Sequence, residues 1–204
     1  MIIIIDYGCG NLGSIQNMIK KIGGVSKITS NLKEIDNAEK LILPGVGAFD
    51  TGIKNLHDRG IWDILNKKAL SDKTPILGIC LGMQLMTKSS EEGILKGLAW
   101  IDAETKKFNF EYIPEKRKIP NMGWNYIKLK KDSILFNNMY ENPKFYFVHS
   151  YYVKCNISQD VLATAEYGFE YDCAFQNENI FGVQFHPEKS HKYGMRLLEN
   201  FVAL

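Results

Sequence analysis

The chain has 204 residues, of which 45% are hydrophobic and 24% are charged, and its formal net charge is +2. A chain of this length can bury a sizeable core in one α/β domain, and its composition is ordinary for a globular protein. The balance of 25 basic and 23 acidic residues argues against a nucleic-acid partner, and no apolar run approaches the roughly 18 residues that span a bilayer.

The first predicted element is a strand over residues 2–5, a run of isoleucines typical of a strand buried on both faces of a parallel sheet. The run has no basic lead-in and ends at Asp6, so it is not a signal peptide and a cytoplasmic location is expected. The four cysteines lie far apart without a C-x-x-C pair, which predicts free thiols and neither a metal site nor a cofactor. They are Cys9, Cys80, Cys155 and Cys173.

A glycine-rich turn follows and leads into a helix predicted to about residue 22. Gly8, Gly10 and Gly13 match the spacing of the dinucleotide-binding fingerprint. The fingerprint requires an acidic residue at the end of the second strand, but the strand predicted over residues 25–30 is followed by Asn31. We therefore interpret the turn as a closely packed βα connection. A nucleotide-binding regulatory module is the non-enzymatic alternative.

The strand predicted over residues 40–43 runs into a loop over residues 44–49. Gly45, Val46 and Gly47 would leave backbone N–H groups free at the end of a strand. Beside a nucleophile such groups could complete an oxyanion hole, and the alternative is an ordinary strand-to-helix turn. An amphipathic helix is predicted over residues 53–69.

The strongest local signal is at Cys80. An apolar strand over residues 76–79 ends at this cysteine, which is flanked by Gly78 and Gly82 and followed by helical apolar spacing. Glycines two before and two after a nucleophile are typical of a nucleophile elbow, a tight strand-to-helix turn that exposes the reactive atom. The N–H of Leu81, in the first turn of the helix, could donate to an oxyanion. The alternative is a structural buried cysteine.

Short strands are predicted after a break at residues 89–93. They cover residues 100–103, 126–129 and 144–153, without a long helix between them, which indicates an antiparallel extension of the sheet. Residues 120–125 are predicted to form a turn that presents Trp124. Strands over 161–167 and 172–176, with a hairpin near Gly168, precede a last strand over 180–185 and a helix over 193–202. Without a repeat or linker, residues 1–204 are predicted to form a single domain.

A reactive cysteine needs a base and a group that orients this base. His57 and His191 are predicted to be exposed, and His149 is a second candidate. His186 is favoured because it ends a strand that should be central, at the sheet edge where elbow residues lie.

Pro187 should keep the segment after His186 extended. His186 and Glu188 would then project to the same side, toward Cys80, with Glu188 accepting from one ring nitrogen. A structural His-Pro-Glu turn is the alternative.

Residues 78–84 together with 186–188 resemble the class I (triad) glutamine amidotransferases. Residues 6–11, 44–47, 122–125, 146–151 and 184–190 narrow the resemblance to the glutaminase subunits of imidazole glycerol phosphate synthases, along essentially the whole chain. The resemblance implies an α/β fold with a largely parallel open sheet, flanked by helices and carrying an antiparallel extension.

The resemblance implies that Cys80 attacks the side-chain amide of glutamine, that His186 transfers the proton and that Glu188 completes the triad. Leu81 and the strand of Gly45, Val46 and Gly47 would form the oxyanion hole. Gln84, Ser150 and Tyr151 would hold the substrate. Ammonia would pass to a (β/α)₈ barrel partner in a heterodimer that forms the imidazole ring in histidine biosynthesis. The positions that match the partner-facing side are Trp124, Asn121, Lys189 and Tyr146.

Two positions depart from the family pattern, which usually has an arginine where Gly13 stands and a histidine where Asn121 stands. Both lie near the partner-facing side, so a related glutaminase that supplies another acceptor, such as a sugar amidotransferase, is the alternative. A free-standing cysteine hydrolase or peptidase is a further alternative, against which Gln84 and the segment of His149, Ser150 and Tyr151 argue.

Overall fold

The computed structural model describes residues 1–112 and 117–204. The described residues form eleven strands joined in one mixed sheet, with the order β2-β1-β3-β4-β11-β10-β9-β6-β7 and with β8 pairing to β10 and β5. The strands are β1 Ile2–Ile5, β2 Ser26–Thr29, β3 Lys40–Gly45, β4 Ile76–Cys80, β5 Ala103–Lys107, β6 Asn121–Leu129, β7 Lys144–His149, β8 Tyr151–Cys155, β9 Val161–Glu166, β10 Glu170–Asn177 and β11 Ile180–Val183.

Helices flank this sheet. They are α1 Leu12–Lys21, α2 Leu32–Asp36, α3 Phe49–Asp58, α4 Ile61–Asn66, α5 Leu81–Leu85 and α6 His191–Ala203, and a π-helical turn Lys67–Ser71 continues α4. The predicted single helix over 53–69 is wrong, because Gly60 takes a left-handed φ of 66° and divides it. The unpredicted α2 begins at Asn31, whose side chain accepts from the backbone N–H groups of Lys33 and Glu34. No helix among the described residues has the length and apolarity to span a membrane.

Five neighbouring strands form the parallel part of the sheet. β1 pairs with β2 and β3, β4 pairs with β3 and β11, and all these pairs are parallel. Ile2 and Ile4 enter one core cluster, whereas Ile3 and Ile5 enter the other. The first cluster includes residues of α1 and α6, and the second includes residues of α2 to α5. This two-sided burial is what the isoleucine run predicted.

The antiparallel extension is also confirmed. β10 pairs antiparallel with β11 and β9, and β6 does so with β9 and β7. The boundaries differ from prediction: the strand expected over 100–103 begins only at Ala103, and the run expected over 144–153 is interrupted at Ser150. The turn predicted over 120–125 is wrong, because Asn121 to Tyr126 pair with β7.

The parallel register places three strand ends at one edge. Gly45 lies opposite Cys80 because β3 continues through Pro44 and Gly45, whereas the sequence predicts a loop there. β11 pairs with β4 up to Val183 opposite Ile79. The chain after β11 therefore delivers His186 to the edge where Cys80 lies.

Candidate active site

Cys80 sits in a strained turn between β4 and α5. Its φ of 54° and ψ of −110° are unusual for a residue with a side chain. A Cβ at Gly82 would lie 1.7 Å from the carbonyl oxygen of Leu43, and one at Gly78 would lie 2.8 Å from the backbone nitrogen of Met83. Both glycines thus permit the close backbone approach that the sequence predicted, and the turn has the form of a nucleophile elbow.

The sulfur of Cys80 has two polar neighbours. Its Sγ lies 4.0 Å from the carbonyl oxygen of Val148 on β7, and the side-chain amide of Gln184 donates to it over 3.6 Å. Cys80 is 7% exposed, and this exposure opens into a cavity of about 230 Å³. The sulfur is therefore held by protein groups, and Cys80 forms part of the cavity wall.

His186 and Glu188 form a buried pair. The imidazole Nδ1 lies 2.8 Å from Oε1 of Glu188, and both side chains are 3% exposed. The prediction that the segment after His186 is extended is wrong, because residues 187–189 form a 3₁₀ turn. The backbone N–H of Ser190 closes the turn on the carbonyl of Pro187. The contact itself is present, since a turn also brings a side chain back toward the residue two before it.

The second ring nitrogen of His186 faces the nucleophile. Nε2 is buried, and no described group partners it in ordinary hydrogen-bonding geometry. Burial would lower the pKa of His186, but interactions with the sulfur of Cys80 in its thiolate form and with the Glu188 carboxylate outweigh burial and raise this pKa to about 9. The ring is thus oriented by the carboxylate on one side and close to the sulfur on the other.

The cavity gathers most of the predicted substrate-side residues. Its wall is formed by Val46, Gly47, Cys80, Leu81, Gln84, Glu92, Val148, His149, Ser150 and Tyr151. Gly45 lies instead in a cleft of about 20 Å³ that His186, Glu188 and Lys189 also line. Val46 borders both spaces, so the segment that follows β3 separates the cavity from the His186 side.

Glu92 is a site residue that the sequence did not reveal. It lines the cavity, and its Oε2 accepts from the backbone N–H of Phe49 at the start of α3. The neighbouring loop is fixed in return, because the Asp50 carboxylate accepts from the backbone N–H groups of Ile94 and Leu95. A glutamate in a polar break resembles a solvated residue, so no sequence signal pointed to it.

Tyr7 was missed as well. Its hydroxyl donates to the carbonyl of Pro44 over 2.6 Å, and the side chain is fully buried. A Cβ at Gly45 would lie 2.3 Å from that hydroxyl oxygen. Burial, followed by the proximity of Cys9 and Cys80, raises the pKa of Tyr7 well above its usual value, which keeps the hydroxyl protonated as a donor. Tyr7 thereby holds the end of β3 beside the elbow.

His149, the second candidate base, is engaged elsewhere. Its Nδ1 lies 2.7 Å from the carbonyl of Tyr151, which can only accept, so Nδ1 carries the proton. Nε2 then accepts from the Asn121 amide over 2.9 Å and lies 3.2 Å from the Tyr171 hydroxyl. Burial lowers the pKa of His149 to about 4. A neutral ring with both nitrogens bonded favours His186 as the base.

The predicted partner-facing residues divide into two groups. Trp124 is 43% exposed, stacks on His191 and lies near Tyr146, and Nζ of Lys189 lies 5.8 Å from the centre of the Tyr146 ring. Asn121 is only 4% exposed, and its amide bonds to the buried side chains of His149 and Tyr171. Asn121 therefore lies beneath this surface and does not form part of it.

The remaining predictions concern the glycine-rich turn and the exposed histidines. A Cβ at Gly8 would lie 2.7 Å from the Arg59 guanidinium, which also donates to the Asp6 carbonyl. The turn is thus packed against α3 as expected. His57 and His191 are exposed as predicted. The four cysteines are free, and no group of three or more potential ligands among the described residues could hold a metal ion.

Comparisons with known proteins agree with this geometry. The family model for "Glutamine amidotransferase class-I" matches residues 3–204. A relative from Methanococcus maripaludis, named imidazole glycerol phosphate synthase subunit HisH 2, is 58% identical over 99% of this chain and 98% of its own. The subunit HisH of Leptospira borgpetersenii is 46% identical over the full length of both chains.

Solved structures resemble the fold at low sequence identity. A glutamine amidotransferase of known structure has a TM-score of 0.71 and 17% identity, covering 97% of this chain and 99% of that one. PurLQS from Thermotoga maritima has a TM-score of 0.72 and 17% identity, covering 99% and 97%. These likenesses establish the fold alone.

Proposed function

Because this chain belongs to the class I glutamine amidotransferase family, we propose that Cys80, His186 and Glu188 are the triad with which it hydrolyses glutamine. The observation that carries the proposal is a cysteine that lines the cavity in a strained elbow, close to an imidazole that a buried carboxylate orients. The chain is the glutaminase subunit of an imidazole glycerol phosphate synthase in histidine biosynthesis, like its full-length relatives. Residues 1–204 act as one glutaminase domain. The cytoplasm is the compartment in which Cys80 would remain a free thiol.

The first half-reaction forms a thioester. His186 takes the thiol proton at Nε2, and the sulfur attacks the side-chain amide carbon of glutamine. The carbonyl oxygen becomes an oxyanion, for which the N–H of Leu81 and an N–H of the segment from Gly45 to Gly47 are the donors; one such donor is typically worth about 10²–10³ in rate. The C–N bond then breaks, and the proton on His186 passes to the departing nitrogen, which leaves as ammonia.

The second half-reaction hydrolyses the thioester and restores the free enzyme. His186 takes a proton from water, and the hydroxide oxygen attacks the thioester carbon. The C–S bond breaks, glutamate leaves, and the proton returns to sulfur. Glu188 keeps its contact with Nδ1 of His186 and stabilises the imidazolium that forms twice in the cycle.

The cavity explains how the amino acid would be held. Glutamine brings an ammonium group and a carboxylate, and Glu92 is an acidic side chain on the cavity wall. We assign Glu92 to the ammonium, because its second oxygen already accepts from Phe49 and fixes the orientation of the carboxylate. Gln84, Ser150 and Tyr151 line the same wall and complete the substrate contacts.

The partner would dock on the face that carries Trp124, Tyr146 and Lys189. Lys189 follows the triad directly and lines the cleft of His186, so a subunit on this face would cover the catalytic edge. Tryptophan and tyrosine are typical anchors of protein interfaces. We propose a heterodimer with a (β/α)₈ barrel synthase subunit, which receives the ammonia.

Glutamate release from glutamine tests the proposal. Cys80→Ala should abolish release, by at least about 10⁴-fold as is usual for loss of a nucleophile, whereas Cys155→Ala should retain it. Assays with and without a barrel subunit of imidazole glycerol phosphate synthase, and with other acceptor enzymes, test the partner. Release that persists in Cys80→Ala would refute the triad, and activation by a different acceptor alone would refute the proposed partner.

A further inference from the structure

Gln184 lies directly behind the catalytic sulfur. It follows β11, its side chain is fully buried, and its Nε2 lies 3.6 Å from Cys80 Sγ. A buried amide is an expensive group to place in a core unless its polar atoms are bonded. Its oxygen is bonded too, because it accepts from Nε2 of Gln84 over 3.0 Å.

The direction of these hydrogen bonds is fixed by one backbone carbonyl. The oxygen of Tyr151 can only accept, so Gln84 must turn its Nε2 toward it, over 3.2 Å. The same Nε2 faces Gln184, which must therefore present its oxygen there. The nitrogen of Gln184 is left to face the sulfur. A reversed amide at Gln184 would oppose two N–H groups and is excluded.

We propose that Gln184 is a catalytic residue that donates an N–H to the sulfur of Cys80 and stabilises its thiolate. The inference rests on the proposed function, because it concerns the same nucleophile. Gln184 contacts the reacting atom, is fully buried and does not line the cavity, so it can remain in place while substrate occupies the cavity.

The two polar neighbours of the sulfur act in opposite ways. The carbonyl of Val148, 4.0 Å away, can accept from a neutral thiol but repels a thiolate. The Gln184 N–H bonds weakly to a neutral thiol and more strongly to a charged one, because charge-assisted hydrogen bonds are roughly twice as strong as neutral ones. Gln184 thus stabilises the thiolate of Cys80 after His186 has taken the thiol proton. It does so again when the thioester breaks and the thiolate leaves.

Alkylation of Cys80 by iodoacetamide isolates this effect. The thiolate forms a C–S bond while the C–I bond breaks and iodide leaves, so neither the oxyanion hole nor a leaving amide takes part. In Gln184→Met, which has a similar shape but no donor, we expect alkylation of Cys80 at pH 7 to slow about tenfold, the effect of one modest hydrogen bond. Mass spectrometry of the peptide containing residue 80 reports the rate.

Two further variants make the result specific. Gln176→Met removes the same side chain from β10, where its amide faces the carbonyl of Glu178, and should alkylate at the wild-type rate. Gln184→Glu keeps the shape and can still accept from Gln84, but lacks the N–H toward sulfur. Gln184→Glu should slow alkylation of Cys80 at least as much as Gln184→Met does. It replaces Gln184→Met in this test if that variant fails to fold.

The outcomes separate this inference from the proposed function. Alkylation within twofold of wild type in a folded Gln184 variant would overturn the role of Gln184, even if glutamine hydrolysis fell, since that pattern indicates a structural effect. Slow alkylation with a wild-type melting temperature supports it. The proposed function is judged separately by Cys80→Ala, which does not depend on Gln184.

Discussion

At the scale of single residues, two buried histidines differ in what surrounds them. Burial alone would lower the pKa of His186, but the sulfur of Cys80 in its thiolate form and the Glu188 carboxylate raise it to about 9. His149 gains a carbonyl and an amide in a cavity wall, and burial lowers its pKa to about 4. An unperturbed histidine titrates near 6.5, so the fold divides a proton carrier from a neutral structural ring by environment alone.

The pKa of His149 predicts an acid-sensitive stability. Above about pH 6.5 the residue is neutral in both folded and unfolded chains, and its contribution is fully present. As the pH falls toward 4, the unfolded chain binds a proton that the folded protein excludes, so up to about 3 kcal/mol is lost. His186 has the opposite sign: its contribution is full below about pH 6.5 and is lost as the pH rises through about 9.

Urea unfolding at pH 7 and pH 5 measures the effect of His149. We expect His149→Gln to lose less stability than wild type between these two values, because glutamine can donate to the Tyr151 carbonyl but does not titrate. His57→Gln, at an exposed position, controls for the loss of a histidine. Equal losses in wild type and His149→Gln would contradict the interpretation of the buried neutral ring.

At the scale of elements, the elbow depends on how closely α5 approaches β3. The carbonyl of Leu43 on β3 occupies the place that a Cβ on Gly82 in α5 would need. The end of β3 thereby lies beside the elbow, with Gly45 opposite Cys80. Tyr7 fixes that end through the Pro44 carbonyl, so the first βα turn supports the site without entering it.

This approach predicts the effect of Gly82→Ala. The added methyl would lie 1.7 Å from a carbonyl that cannot rotate away, so we expect a loss of about 3 kcal/mol in the free energy of unfolding and no measurable glutamine hydrolysis. Gly13→Ala is the matched control, since nothing lies within 4 Å of its Cβ and α1 should gain up to about 1 kcal/mol. Wild-type stability and activity in Gly82→Ala would show that the elbow tolerates a side chain.

At the scale of the whole molecule, the sheet edge that carries the triad lies beside the exposed face of β6, which carries Trp124. Met122, Trp124 and Tyr126 alternate along β6 and are exposed, while Asn121 and Ile127 are buried. The stretch after β11 adds Lys189 and His191 beside them, with the Trp124 ring stacked on His191. A subunit bound here would contact the segment that carries His186 and Glu188, which gives it a physical route to influence the triad.

Trp124→Ala tests this surface. A partly exposed tryptophan at an interface centre typically contributes about 2 kcal/mol or more, so the dissociation constant for the barrel subunit should rise at least about 30-fold. Calorimetric titration measures it, with the melting temperature of the free chain as a check on folding. Val25→Ala, an exposed apolar residue at the opposite end of the sheet, should bind as wild type does. An unchanged affinity in Trp124→Ala would contradict the proposal that the partner binds on this face.

The sequence by itself determined the features that depend on neighbouring residues. The isoleucine run predicted a strand buried on both faces, and the glycines around Cys80 predicted the elbow, because each requirement is met within a few positions. The resemblance carried by residues 78–84 and 186–188 led to the glutamine amidotransferase family, which the comparison confirms.

Only the tertiary structure decided the features that depend on distant partners. Residues 120–125 look like a turn, yet ladder bonds to β7 make residues 121–125 part of a strand. Hydrogen bonds to groups 37 to 104 positions away hold Glu92, Tyr7 and Gln184 at the site. The hydrogen-bond partners of a polar side chain are the groups that the tertiary fold places next to it. When those partners are distant in the chain, the local sequence pattern does not identify them.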